Sequence, residues 1–326
     1  MNTDLREKCD LLVENRNIIR DAIKWESDLM TLAGASFFVG MGMKADSEKL
    51  KNCNEILKTK AGLLSDYRGN VKIPLLCKMS ASEDPDKYFE DINTIVSYMK
   101  DLKWIDKQYK IMAAITIKDH GQEDEYMDAV DKMVKLYKGM KENHPWLTSS
   151  EDIPFAAMLA ASEIDEEALL REMEACYEIL KDDFFDKNAV QTLSHVLAAV
   201  DERASAKCER VKKIWDLLKE NKHKYSSGYE LAVLGTLCML DMPTDKIVEE
   251  IIVADAYLKE YKGFGNLSLG KKTRLMYGGL MVVNTYLPPA YLGNESILAS
   301  SLATVTAMEI CMLVVVSSTA VTSASR

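Results

Sequence analysis

The sequence is poor in the residues that break a chain or cross-link it. It has 15 glycines and 7 prolines in 326 residues, too few for a collagen-like, linker-rich or all-β protein. Its seven cysteines include no CxxC pair, which indicates buried or inert thiols in a reducing compartment. The four histidines include no HExxH motif and no closely spaced pair. These absences argue against a disulfide framework and against a zinc site built from one short segment.

Basic residues are also fewer than acidic ones, 41 against 51, which gives a formal net charge of -10. Non-specific nucleic-acid binding needs Lys and Arg to neutralise phosphates, so we expect no nucleic-acid partner. The first ten residues, MNTDLREKCD, mix charges and contain no apolar core, so they are not a secretory signal. A hydrophobic content of 48% is too high for a disordered chain. We therefore expect a well-packed cytoplasmic protein.

One sequence mark recurs about every forty residues. It is an aromatic residue followed shortly by lysine, and it occurs at Tyr98, Tyr137, Tyr177, Trp215 and Tyr257, at intervals of 38 to 42 residues. Each occurrence lies in a charged stretch whose apolar residues have helical spacing. A second set of segments, poorer in charge, ends at Met79, Ile117, Ala160, Ala198 and Met239, at intervals of 38 to 43 residues. The repeating unit is therefore a short apolar helix, a turn and a longer amphipathic helix.

A helix with one apolar face cannot bury that face alone, so such hairpins stack on their neighbours. The pattern predicts an all-α fold of about six or seven stacked helical hairpins that form an α-α superhelix (solenoid) over residues 1–286. The period weakens at both ends, as expected where terminal units cap an array.

Residues 287–326 form a separate region in this interpretation. The segment 297–321 has a single charge, Glu309, and is long enough to span a membrane. The central acid and the Ser and Thr residues offset the free energy that its aliphatic side chains would gain in lipid. We predict an apolar C-terminal helix that packs on or caps the array. The alternative is a membrane-associated protein anchored by this segment.

Some segments resemble functional motifs but have simpler explanations. In GNLSLGKKT (265–273), Lys272 stands where a phosphate-binding loop needs Ser or Thr, and no strand precedes the segment. In TSSEDIP (148–154), Ser149 or Ser150 is expected to cap a helix whose first turn carries acids. No Ser-His-Asp or Cys-His grouping has a specific spacing. We predict no catalytic residue, no metal ligand and no cofactor.

Polar residues at the starts of the apolar helices give a candidate binding rim. Stacking would align these helix N-termini at one edge of the array, and helix N-termini favour anions. In KNAVQTLSHVLAAV, an Asn, a Gln and a His share one helix face opposite the core stripe, where they could bind a ligand or remain a solvated or inter-repeat polar face. The candidate residues are Arg68, Asn70, Asp152, Asn188, Gln191 and His195.

Several segments together resemble a bacterial family of uncharacterised proteins, domain of unknown function 4003. They are KWESDLMTLA (24–33), SDYRGN (65–70), HPWLTSSED (144–152), FFDKNAVQTLSHVLA (184–198) and GFGNLSLGKKTRLM (263–276). The similarity covers nearly the whole chain. The resemblance implies an all-helical protein and supplies no functional residue.

The sequence predicts a non-enzymatic scaffold that binds a protein, a peptide or another ligand on the extended surface of its helical stack. A helical enzyme with a polar site around His195 is the alternative from another class. A deep pocket that gathers His195 with acids from other units would favour the enzyme.

Overall fold

The computed structural model describes residues 1–24, 26–62, 65–162 and 164–287, and in these ranges it contains α-helices, three short 3-10 helices and no strand. The predicted all-α class is confirmed. The three 3-10 helices are Asp66–Arg68, Glu123–Glu125 and Ser150–Asp152. The α-helices are α1 Thr3–Ala22, α2 Asp28–Gly40, α3 Ser47–Lys60, α4 Lys72–Ala81, α5 Pro85–Tyr98, α6 Lys107–His120, α7 Tyr126–Asn143, α8 Ile153–Ala160, α9 Glu166–Leu180, α10 Lys187–Ala198, α11 Ala204–Glu220, α12 Leu231–Leu237, α13 Thr244–Lys259 and α14 Lys271–Tyr286.

The odd-numbered and even-numbered helices differ in burial. Every residue of α8 and of α12 is buried, and α2 is buried continuously from Met30 to Gly40. By contrast, α9 buries only five residues, at the helical spacing of one apolar stripe. A helix that is apolar all round is surrounded by protein, whereas an amphipathic helix lies at the surface. The even helices therefore form an inner layer, and the odd helices cover it.

The helices pair in chain order into seven hairpins. Each odd helix packs against the even helix that follows it, from α1 with α2 to α13 with α14. Neighbouring hairpins also pack on one another, for example through α7 with α9 and α10 with α12. The last hairpin contacts the first, because α13 and α14 both pack against α1 and α14 also packs against α2.

Polar contacts reinforce this junction between the two ends of the helical array. Asp10 of α1 accepts hydrogen bonds from the Tyr257 hydroxyl at 2.7 Å and the Tyr261 hydroxyl at 2.6 Å. Arg16 of α1 donates to the Lys262 carbonyl at 3.3 Å, and its guanidinium lies 5.2 Å from the centre of the Phe264 ring. Hairpins one and seven are thus in direct contact.

The connectors that follow the odd helices lie at one end of the molecule, and we call this end the long-connector face. Contacts between them establish this position. Lys107 lies 2.9 Å from Asp66, the Ser150 hydroxyl donates to the Trp104 carbonyl at 3.2 Å, and the Tyr229 hydroxyl donates to Glu151 at 3.2 Å. The connectors that follow the even helices have three to six residues, against five to eleven for those that follow the odd helices, and lie at the other end, the short-connector face.

The predicted C-terminal helix at 297–321, and the region 287–326 apart from Leu287, lie outside the described residues. Among the helices that the structure does describe, none has the length and hydropathy needed to cross a membrane. The six described cysteines are all free and buried.

Candidate functional site

Three of the predicted rim residues, Asp152, Gln191 and His195, come together between the fourth and fifth hairpins. His195 lies on α10, which is buried on every side from Ala189 to Ala198. Its Nδ1 atom lies 3.6 Å from Asp152 Oδ1, too far for a hydrogen bond. The predicted polar face of α10 is therefore an inter-repeat face, because the outer helices cover Gln191 and His195.

Asp152 is held by the chain segment in front of α8. The Ser149 backbone N–H donates to Asp152 Oδ2 at 2.8 Å, and the Ser149 hydroxyl accepts from the Glu151 N–H at 3.2 Å. This reciprocal arrangement is a capping box, so the predicted cap in TSSEDIP is confirmed with Ser149 as its N-cap. Burial raises the pKa of Asp152 to about 7, because an ionised carboxylate is poorly solvated there.

Burial lowers the pKa of His195, whereas it raises that of Asp152, because in each case it disfavours the charged form. Loss of solvent, followed by repulsion from His144, lowers the pKa of His195 to about 3. At neutral pH the imidazole is therefore uncharged, and the Asp152 carboxyl carries its proton about half of the time. The pair is a polar contact of low net charge rather than an ion pair.

Gln191 ties α10 to the same connector. Its side-chain N–H donates to the Thr148 hydroxyl at 2.8 Å, and that hydroxyl donates to the Met140 carbonyl at the end of α7. Both hydrogen bonds are buried, where leaving a polar group unpaired would cost about 1–3 kcal/mol. The Gln191 side chain therefore fixes the register of α10 against α7.

A small cavity of about 10 Å³ lies between α7, α9 and α10, and His195 and Gln191 are among its lining residues. On its wall, His144 Nε2 lies 2.8 Å from Glu174 Oε2. This volume has room for about one water molecule. The His195 cavity has one acid in its lining, Glu174 of α9, and it is not the deep pocket that an enzyme site would require.

The other three predicted rim residues are elsewhere. Arg68 donates to the carbonyls of Lys58 at 3.1 Å and Ala61 at 3.3 Å, so it caps the C-terminal end of α3. Asn188 is exposed in the first turn of α10, and Asn70 is half-buried in the connector before α4. Both asparagines lie at the long-connector face.

The sequence analysis missed three large apolar side chains that are almost wholly exposed on this face. Trp146 is 96% exposed, Phe185 is 96% exposed and Leu267 is 105% exposed. They lie on the connectors of the fourth, fifth and seventh hairpins. The signal available in the sequence was an apolar residue inside each of three polar connectors: HPWLTSSED, DFFDK and GNLSLGKK.

The described residues contain no group of three or more His, Cys, Asp or Glu side chains placed to hold a metal ion.

Comparison with known proteins gives one family and one relative. The family model described as "Protein of unknown function (DUF4003)" matches residues 15–314. The chain is similar to the uncharacterized protein YeaA of Bacillus subtilis (strain 168), with 21% identity over 252 residues, which cover 75% of this chain and 76% of that protein. No solved structure matches the chain.

Proposed function

Because the chain belongs to the DUF4003 family, whose description assigns no activity, we propose a function from its own geometry: a non-enzymatic scaffold that binds a protein or peptide partner at the long-connector face. The observation that carries this proposal is the exposure of Trp146, Phe185 and Leu267 on that face. Trp and Phe are enriched at protein interfaces, where they act as anchors.

The connector that carries Trp146 is held before any partner arrives. The Ser150 hydroxyl bridges the third and fourth connectors, since it donates to the Trp104 carbonyl and accepts from the Asp106 N–H at 3.2 Å. Glu151 and Tyr229 connect the fourth and sixth connectors. A surface ordered in advance loses less conformational entropy on binding, which supports a role in recognition.

Within this function we assign the predicted rim residues to three groups. We assign to Asn70 and Asn188 the hydrogen bonds that would orient a partner, because both reach solvent on the same face. Asp152, Gln191 and His195 would act indirectly, by positioning the connector that bears Trp146. Arg68 would stabilise the end of α3.

Two further features belong to the proposal. We propose that the hairpins form a closed version of the predicted α-α superhelix, a ring with two unlike faces, on the strength of the contacts between hairpins one and seven. We also propose a cytoplasmic location, because the six described cysteines are free thiols and a reducing compartment preserves such thiols.

Affinity capture with matched variants tests the scaffold proposal. The double variant Trp146→Ser/Phe185→Ser removes two anchors, and Met127→Ser removes a 53% exposed apolar side chain near the short-connector face. We expect any partner captured by the wild type to be retained by Met127→Ser and reduced by about tenfold or more with the double variant. All three proteins should have the same melting temperature, since the changed side chains are largely in solvent.

Cross-linking gives a second readout. A partner bound as proposed should cross-link to Lys187, which is exposed at the start of α10 on the long-connector face. Equal capture by the double variant and the wild type, or cross-links confined to the short-connector face, would contradict the proposal.

A further inference from the structure

A large groove opens on the short-connector face, away from the proposed docking surface. It lies between the fifth and sixth hairpins and has a volume of about 1120 Å³. Other described cavities have about 320 Å³ and about 280 Å³. Small-molecule sites commonly have a volume of roughly 300–1,000 Å³, so this groove is large enough for an organic ligand. We call it the Lys207 groove, after the buried lysine in its wall.

The floor of the Lys207 groove is apolar. Its accessible apolar side chains are those of Ile164, Ala168 and Ala199, and Met239 adds a half-buried thioether. An apolar floor favours a ligand with a hydrocarbon or aromatic body, because contact removes apolar surface of both from water.

The charged groups of the groove leave an excess of carboxylate. The Lys207 ammonium is buried; it lies 2.6 Å from Glu172 Oε1 and donates to the Val200 carbonyl at 3.1 Å. Its charge is therefore neutralised within the wall. Asp201 and Glu202 also line the groove, are exposed, and have no ion-pair partner among the described residues.

We propose that the Lys207 groove binds an organic amine, with its ammonium group at Glu202 and Asp201 and its apolar body on the floor formed by Ile164, Ala199 and Met239. A cation is favoured because the one lysine of the groove is already paired with Glu172. A carboxylate ligand would meet two unneutralised acids. This site is independent of the docking surface on the opposite face.

Two probes of the same shape and opposite charge test the inference. Isothermal titration of the full chain with 4-phenylbutylamine should show binding, and 4-phenylbutyrate should bind at least about tenfold more weakly. Glu202→Gln keeps the side-chain shape and removes the charge, so it should weaken amine binding by about fivefold, the effect of roughly one solvent-exposed ion contact.

Two further variants make the test specific. Ala199→Phe places a ring in the groove and should abolish amine binding. Glu220→Gln changes an exposed acid at the far end of α11 and should leave binding unchanged. Thermal melts of each variant establish that the chain is folded. Equal binding of the two probes, or equal loss with Glu202→Gln and Glu220→Gln, would overturn the proposal, as would full binding by Ala199→Phe or no amine binding by the wild type.

Discussion

At the scale of single residues, Asp152 and His195 exchange one proton between the unfolded and the folded chain. Unfolded, the carboxyl has a pKa near 3.8 and the imidazole near 6.5; folded, the pKa values are about 7 and about 3. Between about pH 4 and 6.5 the unfolded chain therefore protonates the histidine, and the folded chain protonates the aspartate. The pair binds one proton in both states, so it gives stability almost no pH dependence in this window.

Replacing either residue of the pair should reveal the pH dependence of stability that the other residue causes. In Asp152→Asn only His195 of the pair can still titrate. Because its pKa is lower in the folded chain than in the unfolded chain, its contribution to the free energy of unfolding is fully present above pH 6.5 and is lost as the pH falls. We expect the free energy of unfolding of this variant to rise with pH between 4 and 6.5, by at most about 1.4 kcal/mol per unit. Urea titrations at several pH values measure this slope.

His195→Gln should have the opposite slope. The raised pKa of Asp152 favours the folded state at low pH, and this contribution is lost as the pH rises from about 4 to 7. Asp201→Asn, at an exposed site, is the matched control and should run parallel to the wild type. Stability curves of the two site variants that also run parallel to the wild type would refute the proton exchange.

At the scale of helices, close approach of α10 and α12 depends on Gly235. A Cβ atom at this position would lie 2.9 Å from Val196 Cγ1 and 3.1 Å from Leu193 Cδ1. Alanine is the better helix former by about 1 kcal/mol, but overpacking in a filled core costs about 1–3 kcal/mol. We expect Gly235→Ala to lower the free energy of unfolding by up to about 2 kcal/mol in denaturant titrations.

Gly265→Ala provides the comparison for that measurement. A Cβ atom at this loop position meets nothing within 4 Å, so the same change should be neutral or slightly stabilising by restricting the unfolded chain. If both variants lose the same stability, the α10–α12 contact is not the cause.

The repeat was visible in the sequence at this scale because each hairpin carries its own apolar periodicity. Helix starts followed from local chemistry as well: Pro85 opens α5, and Asp84 accepts a hydrogen bond from the Lys87 N–H at 2.9 Å. The burial of Gln191 and His195 could not be predicted from spacing alone. A row of polar residues on a helix gives the same sequence pattern whether the row faces water or a neighbouring helix. Only the packing of the outer helices determines whether these residues are buried.

At the scale of the whole molecule, the contact between the first and last hairpins depends on pairs that are remote in sequence. Asp10 and its two tyrosine partners are separated by about 250 residues, a distance over which hydrophobic periodicity carries no information. The backbone of Gly263 makes this junction possible. Its φ is +91°, and a Cβ atom there would lie 2.5 Å from Arg16 Nη2.

Arg16→Met should therefore loosen both ends of the chain together. The variant keeps much of the aliphatic stem but loses the hydrogen bond to the Lys262 carbonyl and the cation–π contact with Phe264, for a cost of about 1–3 kcal/mol. The ion pair with Asp28 adds little, because that carboxylate is 60% exposed. Hydrogen exchange followed by mass spectrometry should show faster exchange in α1 and in the connector before α14, with α6 to α9 unchanged. In an array whose ends do not support each other, only α1 would exchange faster, so protection retained around Phe264 would contradict closure.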